Sequence, residues 1–266
     1  MAIYDCFQYF NEDHIVDLRL NILDKYVDFF VVSESTRNHQ GKTKKLNFEI
    51  GKFNKFRKKI IYLVADPEID LIKDNHKYGH SLIEQHQRNF LITGINKAND
   101  NDLILISDSD EIPDLEKLNL IKKKFFAFSQ KAYCYKLNLL NPRENNWIGS
   151  RGCKKQDLIS AQKLRQIKFK NYPFWRIDKQ NLQIIDNAGW HFSYLLNLEK
   201  ISEKIKSFSH SEDNIKENTE IDNLQKKINS LTHPTKNYKL ELVKIDKTFP
   251  EYIQNNMTKL DSWIAK

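Results

Sequence analysis

Three cysteines, six prolines and seven glycines in 266 residues leave little material for several kinds of protein. So few glycines and prolines argue against a fibrous or linker-dominated chain. Cys6, Cys134 and Cys153 are odd in number, widely spaced and free of any CxxC pair, so they supply neither a disulfide framework nor a zinc site. Cys6 and Cys134 fall in apolar, strand-like runs and read as buried, reduced thiols. No apolar stretch approaches the length of a membrane span, and the start Met1-Ala2-Ile3-Tyr4-Asp5 has no basic leader, so a cytoplasmic protein is expected. P-loop, GxGxxG, GxSxG and HExxH patterns are all missing. Their absence argues against ATPase, dehydrogenase, esterase and zinc-protease chemistry.

What the chain does have is core-forming material and positive charge. Hydrophobic residues make up 40% and aromatics 12%, ample for a buried core. The formal net charge of +8 favours anionic partners: nucleic acid, a phospholipid surface or phosphorylated small molecules. A generally basic solvated surface is the plainer alternative. Lysines come in short runs such as Lys122-Lys123-Lys124, without a basic arm or an arginine-rich stripe, which argues against nucleic acid.

The first half alternates strand and helix patterns. Ile3 to Phe7, Val27 to Val32, Lys59 to Ala65 and Asp102 to Ser107 are apolar and rich in β-branched residues, hence strands. Between them, Ile15, Leu18, Ile22 and Tyr26 recur at helical spacing after Asn11, a candidate N-cap, and Ile83, Gln87, Phe90, Leu91 and Ile95 do the same. This alternation predicts an α/β fold with a mostly parallel, Rossmann-like sheet flanked by helices. In such sheets ligands bind beyond the carboxyl ends of the strands. Beyond Pro113 the pattern predicts a basic helix from Asp114 to about Phe125, a strand from Ala132 to Leu140, aromatic loops around Trp147 and Trp175, and a short strand from Leu182 to Asp186. Charged helices follow from Asn197. One domain over residues 1–212 with a helical extension over 213–266, packed on the same domain, is the expected organisation.

The strongest motif is Asp108-Ser109-Asp110-Glu111-Ile112-Pro113, directly after a buried strand. Three carboxylates in four residues repel one another unless a cation compensates. Alternate residues on an extended tip can turn Asp108 and Asp110 toward one hard divalent ion, Mn²⁺ or Mg²⁺. Such an ion would bridge diphosphate oxygens and neutralise charge growing on a leaving nucleotide. The plainer reading is an acidic turn with Asp114 capping the next helix. Arg88 could offer phosphate a planar fork, against a simple surface pair with Glu84 at i,i+4. In Gly189-Trp190-His191-Phe192, His191 could complete the metal shell and Trp190 could cover a sugar face, with His210 a competing ligand and a core histidine the ordinary alternative. The polar loop Glu34 to Gly41 is placed to grip a nucleoside or to be ordinary solvent loop.

Taken in order, these segments resemble glycosyltransferase family 17. The likeness begins at Tyr4-Asp5-Cys6-Phe7, Asn11-Glu12 and Arg19-Leu20, and runs through Val27 to Ser35 and His39-Gln40-Gly41-Lys42. It resumes at Glu84 with Gln87-Arg88-Asn89 and passes through Asp108 to Pro113. Its last segment is Gly189 to Tyr194, with Lys204-Ile205 and His210, so it spans residues 3 to 212. The resemblance implies a GT-A type fold, a UDP-sugar donor (UDP-GlcNAc in the known activity), a divalent metal and inversion at the anomeric carbon. It also implies Asp108, Asp110 and His191 at the metal and Glu34, Arg88 and Asp108 at the nucleotide sugar, beside which Trp190 stays a candidate on its residue type alone. Animal members are membrane-anchored and act on N-glycans in the secretory pathway. A cytoplasmic enzyme would need another acceptor, such as a lipid-linked or cell-surface glycan at the anionic inner face of the membrane. Inversion needs a carboxylate base for the acceptor hydroxyl, and Glu111, Asp186 and Glu212 are the candidates, Glu111 standing first beside the metal. A metal-dependent nuclease or phosphatase, or a non-catalytic carbohydrate-binding protein, are the competing readings.

Overall fold

The computed structural model describes residues 1–68, 81–168, 181–207 and 214–266. Four apolar segments form a parallel array: β1 (Ile3–Tyr9), β2 (Phe29–Ser35), β3 (Ile60–Ala65) and β4 (Leu103–Asp108). They lie side by side in the order β3-β2-β1-β4. Strands β1, β2 and β4 are buried on both faces along most of their length, as runs without polar alternation require, while the edge strand β3 is buried only at Ile60 and Ala65. One face carries Phe7, Tyr9, Phe30, Val32 and Leu105 against α1 (Asp13–Leu23). The opposite face carries Tyr4, Cys6, Val31, Ile104 and Ile106 against Leu91 and Ile95. Those two residues follow α2 (Leu82–Phe90), whose first turn is capped by the Ser81 hydroxyl accepting from the Glu84 amide at 3.1 Å.

Beyond β4 the sheet becomes mixed. Strand β8 (Trp147–Lys154) runs antiparallel to both β4 and β6 (Phe125–Cys134), with β7 (Leu139–Leu140) on the far side of β6. Strands β9 (Leu182–Ile185) and β10 (Gly189–Ser193) pair parallel to successive stretches of β6. The three-residue β5 (Glu111–Pro113) pairs antiparallel to β10, setting His191 opposite Glu111. That pairing depends on Gly189, whose φ is +142° and where a Cβ would lie only 2.4 Å from the Ile112 carbonyl oxygen.

Sequence patterning misplaces three boundaries. The expected helix from Asp114 to Phe125 is a 3-10 segment, Leu115–Leu120, and β6 already begins at Phe125. Leu115, Leu118 and Ile121 recur every three residues, a spacing that 3-10 and α-helix share over one turn. The expected strand Ala132–Leu140 is divided between β6 and β7, with Tyr135 at φ +65° between them. Asn11 is not the N-cap of α1; Glu12 is, and its carboxylate accepts from the Phe10 and Asn11 amides instead.

After α3 (Leu198–Ser207), two short helices, α4 (Lys216–Thr219) and α5 (Ile221–Asn229), pack with it around Ile201, Ile205 and Leu224. The rest of the tail is mostly irregular. It adds β11 (Glu241–Leu242) to the sheet beside β7 and buries Phe249 and Ile253 in the same cluster as α1. Trp175, His210 and Glu212 lie outside the described residues.

Candidate active site

The carboxyl ends of β1, β2 and β4 meet at one edge, where register sets Asp108 beside Gln8 and Glu34 beside Tyr9. The acidic turn Asp108–Glu111 leaves the sheet here. Buried Arg19, from α1, locks the turn in place. Its Nε and Nη2 pair with both Asp5 oxygens at 2.7 and 2.6 Å, while Nη1 donates to the Glu111 carbonyl at 2.6 Å and the Asp108 carbonyl at 3.2 Å. The guanidinium fork suits such a task because it presents several donors in one rigid plane.

The acidic side chains are compensated by cations. Asp108 faces Arg88 at 3.2 Å and Arg165 at 3.1 Å and keeps 36% of its side chain exposed. Asp110 faces Lys204 Nζ at 3.1 Å and His191 Nε2 at 3.6 Å. Burial alone would raise the Asp110 carboxyl; Lys204 and His191 outweigh it and hold it well below the usual carboxylate range. Burial pushes His191 the other way, and Asp110 prevails, leaving the imidazole more basic than usual. Lys204 bridges Asp110 to Glu12, 3.2 Å away.

Several expected roles are corrected by position. Glu111 is fully buried with both oxygens engaged: Arg165 donates at 2.7 and 2.9 Å, the Trp147 indole at 2.9 Å and the Asp108 amide at 3.0 Å. It anchors the turn and has no oxygen turned to an acceptor. Gly149 backs it, and a Cβ there would lie 3.1 Å from the Glu111 carboxyl carbon and 2.0 Å from Gln130 Oε1. Asp186 is exposed in a turn where Lys117 binds the Asp186 and Asn187 carbonyls, and among the described residues no hydrogen bond or ion pair joins it to Asp108, Asp110, Glu111 or His191. Trp190 lies on the opposite face of β10 from His191, as strand alternation requires, and its indole donates to the Thr248 carbonyl at 3.0 Å. There it lines a cavity of about 780 Å³ that includes none of Asp108, Asp110, Glu111 and His191. The aromatic ring at the site is Trp147, stacked on His191 with centroids 4.6 Å apart. Glu34 is buried, accepting from Lys44, the Asn47 and Phe48 amides and the Tyr62 hydroxyl, so it holds the 44–48 segment to the sheet.

Arg165, Trp147, Lys204 and Arg19 therefore join Arg88, Asp108, Asp110 and His191. Arg165 carries no local signal in sequence, since its partners stand 54 and 57 positions away. Among the described residues, no three His, Cys, Asp or Glu side chains converge on a common point as a metal cage. Asp108 turns to its arginines, and among the described residues Asp110 and His191 are the candidate chelating pair. They stand 3.6 Å apart, close enough that a carboxylate oxygen and an imidazole nitrogen could together hold one divalent cation. The residues present fit such an ion.

The match to a family sequence model places the chain among the glycosyltransferases. The sequence model for Glycosyltransferase family 17 matches residues 1–234, and the chain belongs to that family. No curated protein matches it significantly. Among solved structures it is similar to a glucose-1-phosphate thymidylyltransferase from Bacillus anthracis, at 10% identity and a TM-score of 0.36 over 71% of this chain and 88% of that one. It is also similar to the inositol-1-phosphate CTP transferase of T. maritima, at 10% identity and a TM-score of 0.34 over 72% and 89%. No helix among the described residues is long and apolar enough to cross a membrane.

Proposed function

We propose that this glycosyltransferase has a GT-A type fold and moves a hexosyl or N-acetylhexosaminyl group, GlcNAc being the first to test, from a UDP-sugar. The acceptor is a hydroxyl on a glycan or lipid-linked sugar, and the transfer proceeds with inversion. The observation that carries this reading is the pairing of Asp110 with His191 at the end of β4, ringed by Arg88, Arg165 and Lys204. Binding of a UDP-sugar brings a diphosphate to this edge, where the three cations can turn from the carboxylates to phosphate oxygens. Asp110 and His191 would hold Mn²⁺ or Mg²⁺, which when bound supplies charge neutralisation to the departing UDP. Arg19 keeps the turn from shifting as charge redistributes, because its contacts are to backbone carbonyls that the reaction does not alter. Trp147 fixes the imidazole plane by stacking.

UDP release from UDP-GlcNAc, UDP-glucose and UDP-galactose tests this directly. With Mn²⁺ one donor should be turned over, EDTA should stop the release, and added Mn²⁺ should restore it. Turnover undiminished in EDTA contradicts the metal assignment, and no release from any donor contradicts the UDP-sugar reading.

A further inference from the structure

An inverting displacement needs one carboxylate with a free oxygen on the acceptor side of the sugar, and the acidic side chains around the turn Asp108–Glu111 are committed elsewhere. Glu111 and Glu34 are saturated by donors. Glu84 pairs with Arg88 and Glu12 with Lys204. Asp108 faces two arginines, and Asp110 is occupied by Lys204 and His191.

Glu144 differs from all of these. It ends the 3-10 turn Pro142–Glu144, which follows β7 and leads into Trp147. Buried Asn141 builds that turn. Its side-chain oxygen accepts from the Arg143 amide at 3.2 Å, its Nδ2 donates to Glu144 Oε2 at 3.0 Å, and its own amide donates to the Ala132 carbonyl at 2.8 Å. Ala132 is the β6 partner of His191 in the sheet register. The turn is thus fastened at the level of His191, and Trp147 stacks on that imidazole from the same loop. Oε1 of Glu144 has no hydrogen-bond partner among the described residues, and the side chain is only half-buried. The Glu144 charge is also among those acting on His191. A carboxylate held by one oxygen and open at the other, on a loop tied to the metal-side histidine, has the form of a general base.

We infer that Glu144 is the catalytic base, its Oε1 taking the proton of the acceptor hydroxyl as that oxygen attacks the anomeric carbon. The bond from acceptor oxygen to anomeric carbon forms on one face. On the other, the bond from anomeric carbon to phosphate oxygen breaks, its electron pair leaves with UDP, and the proton rests on Glu144. Asn141 is a positioning residue, acting through its hydrogen bond to Oε2. The inference rests on the UDP-sugar reading above and adds the residue that handles the proton.

Azide separates the alternatives, because it attacks as an anion and brings no proton. UDP release by the full chain is measured with Mn²⁺ and the same three UDP-sugars, with water as acceptor and then with sodium azide, for the parent and Glu144→Gln. UDP binding is followed by calorimetry. Glu144→Gln should lose about 10²–10⁴-fold in turnover with UDP affinity within threefold of the parent. Azide should restore at least tenfold of that loss and yield a glycosyl azide of inverted configuration. Turnover within threefold of the parent overturns the assignment of Glu144 alone. Loss that azide leaves untouched, or loss of UDP binding, also overturns it, by making the residue structural. No UDP release by the parent under either condition overturns the transferase reading and the base with it.

Discussion

Replacing Asp110 by Asn should lower turnover about 10²–10³-fold, the range for removing one preorganised group that stabilises developing charge. Asn keeps the shape of the side chain, and Lys204 retains Glu12 as a partner, so the chain should remain folded. Its melting behaviour carries a second signature. The Asp110 carboxyl is held well below its ordinary value, so its contribution to stability is present above the unfolded value of about 4 and is lost as the pH falls through the folded value. Asp110→Asn lacks that contribution. The parent should therefore melt above the variant at neutral pH in metal-free buffer, with the gap narrowing as the pH drops below about 4. Equal turnover in parent and variant would remove Asp110 from the reaction.

Arg19→Met should have the largest effect on stability. The substitution leaves Asp5 buried without its partner and frees the carbonyls of Asp108 and Glu111. Breaking a buried pair from one side costs about 3–5 kcal/mol, a large share of a domain's stability. Urea melts of Arg19→Met and of Asp5→Leu/Arg19→Met distinguish the two jobs of this arginine. The double variant should recover much of the lost stability, since it no longer buries a lone charge. It should not recover turnover, because nothing then fixes the acidic turn. Full turnover in the double variant would show that the turn holds its geometry without Arg19.

The two halves of the fold differ in how readable they are in one dimension. Strand β4 and its acidic tip are legible because a run of apolar residues ends abruptly in charge, a pattern that local sequence displays whole. That β1 to β4 form a parallel sheet is legible for the same reason, since strand and helix patterns alternate, whereas the order β3-β2-β1-β4 is set by pairings that local sequence does not display. Strand β6 is harder: three-residue spacing just before it imitates a helix, and its pairings with β8, β9 and β10 are contacts between segments far apart in the chain. The site divides likewise. Asp110 stands out by residue type at a strand end, whereas His191, in the middle of β10, is singled out by the family resemblance and not by its local pattern. Arg165 and Glu144 are an ordinary arginine and an ordinary glutamate until the fold brings one to Glu111 and the other to the level of His191. Trp190 and Trp147 illustrate the converse, since the aromatic residue adjacent in sequence to His191 lies on the wrong face and the one 44 positions away stacks on it.

At the centre of the proposed chemistry would stand a divalent cation, held by Asp110 and His191 together with a nucleotide's diphosphate. Anomalous diffraction at the manganese edge, from crystals soaked with Mn²⁺ and UDP, locates that ion directly. A single peak within about 2.3 Å of Asp110 Oδ1 and His191 Nε2, with phosphate oxygens completing its shell and Lys204 turned toward them, is the predicted result. UDP bound at the ends of β1 and β4 with no manganese there, and Lys204 still on Asp110, would contradict it.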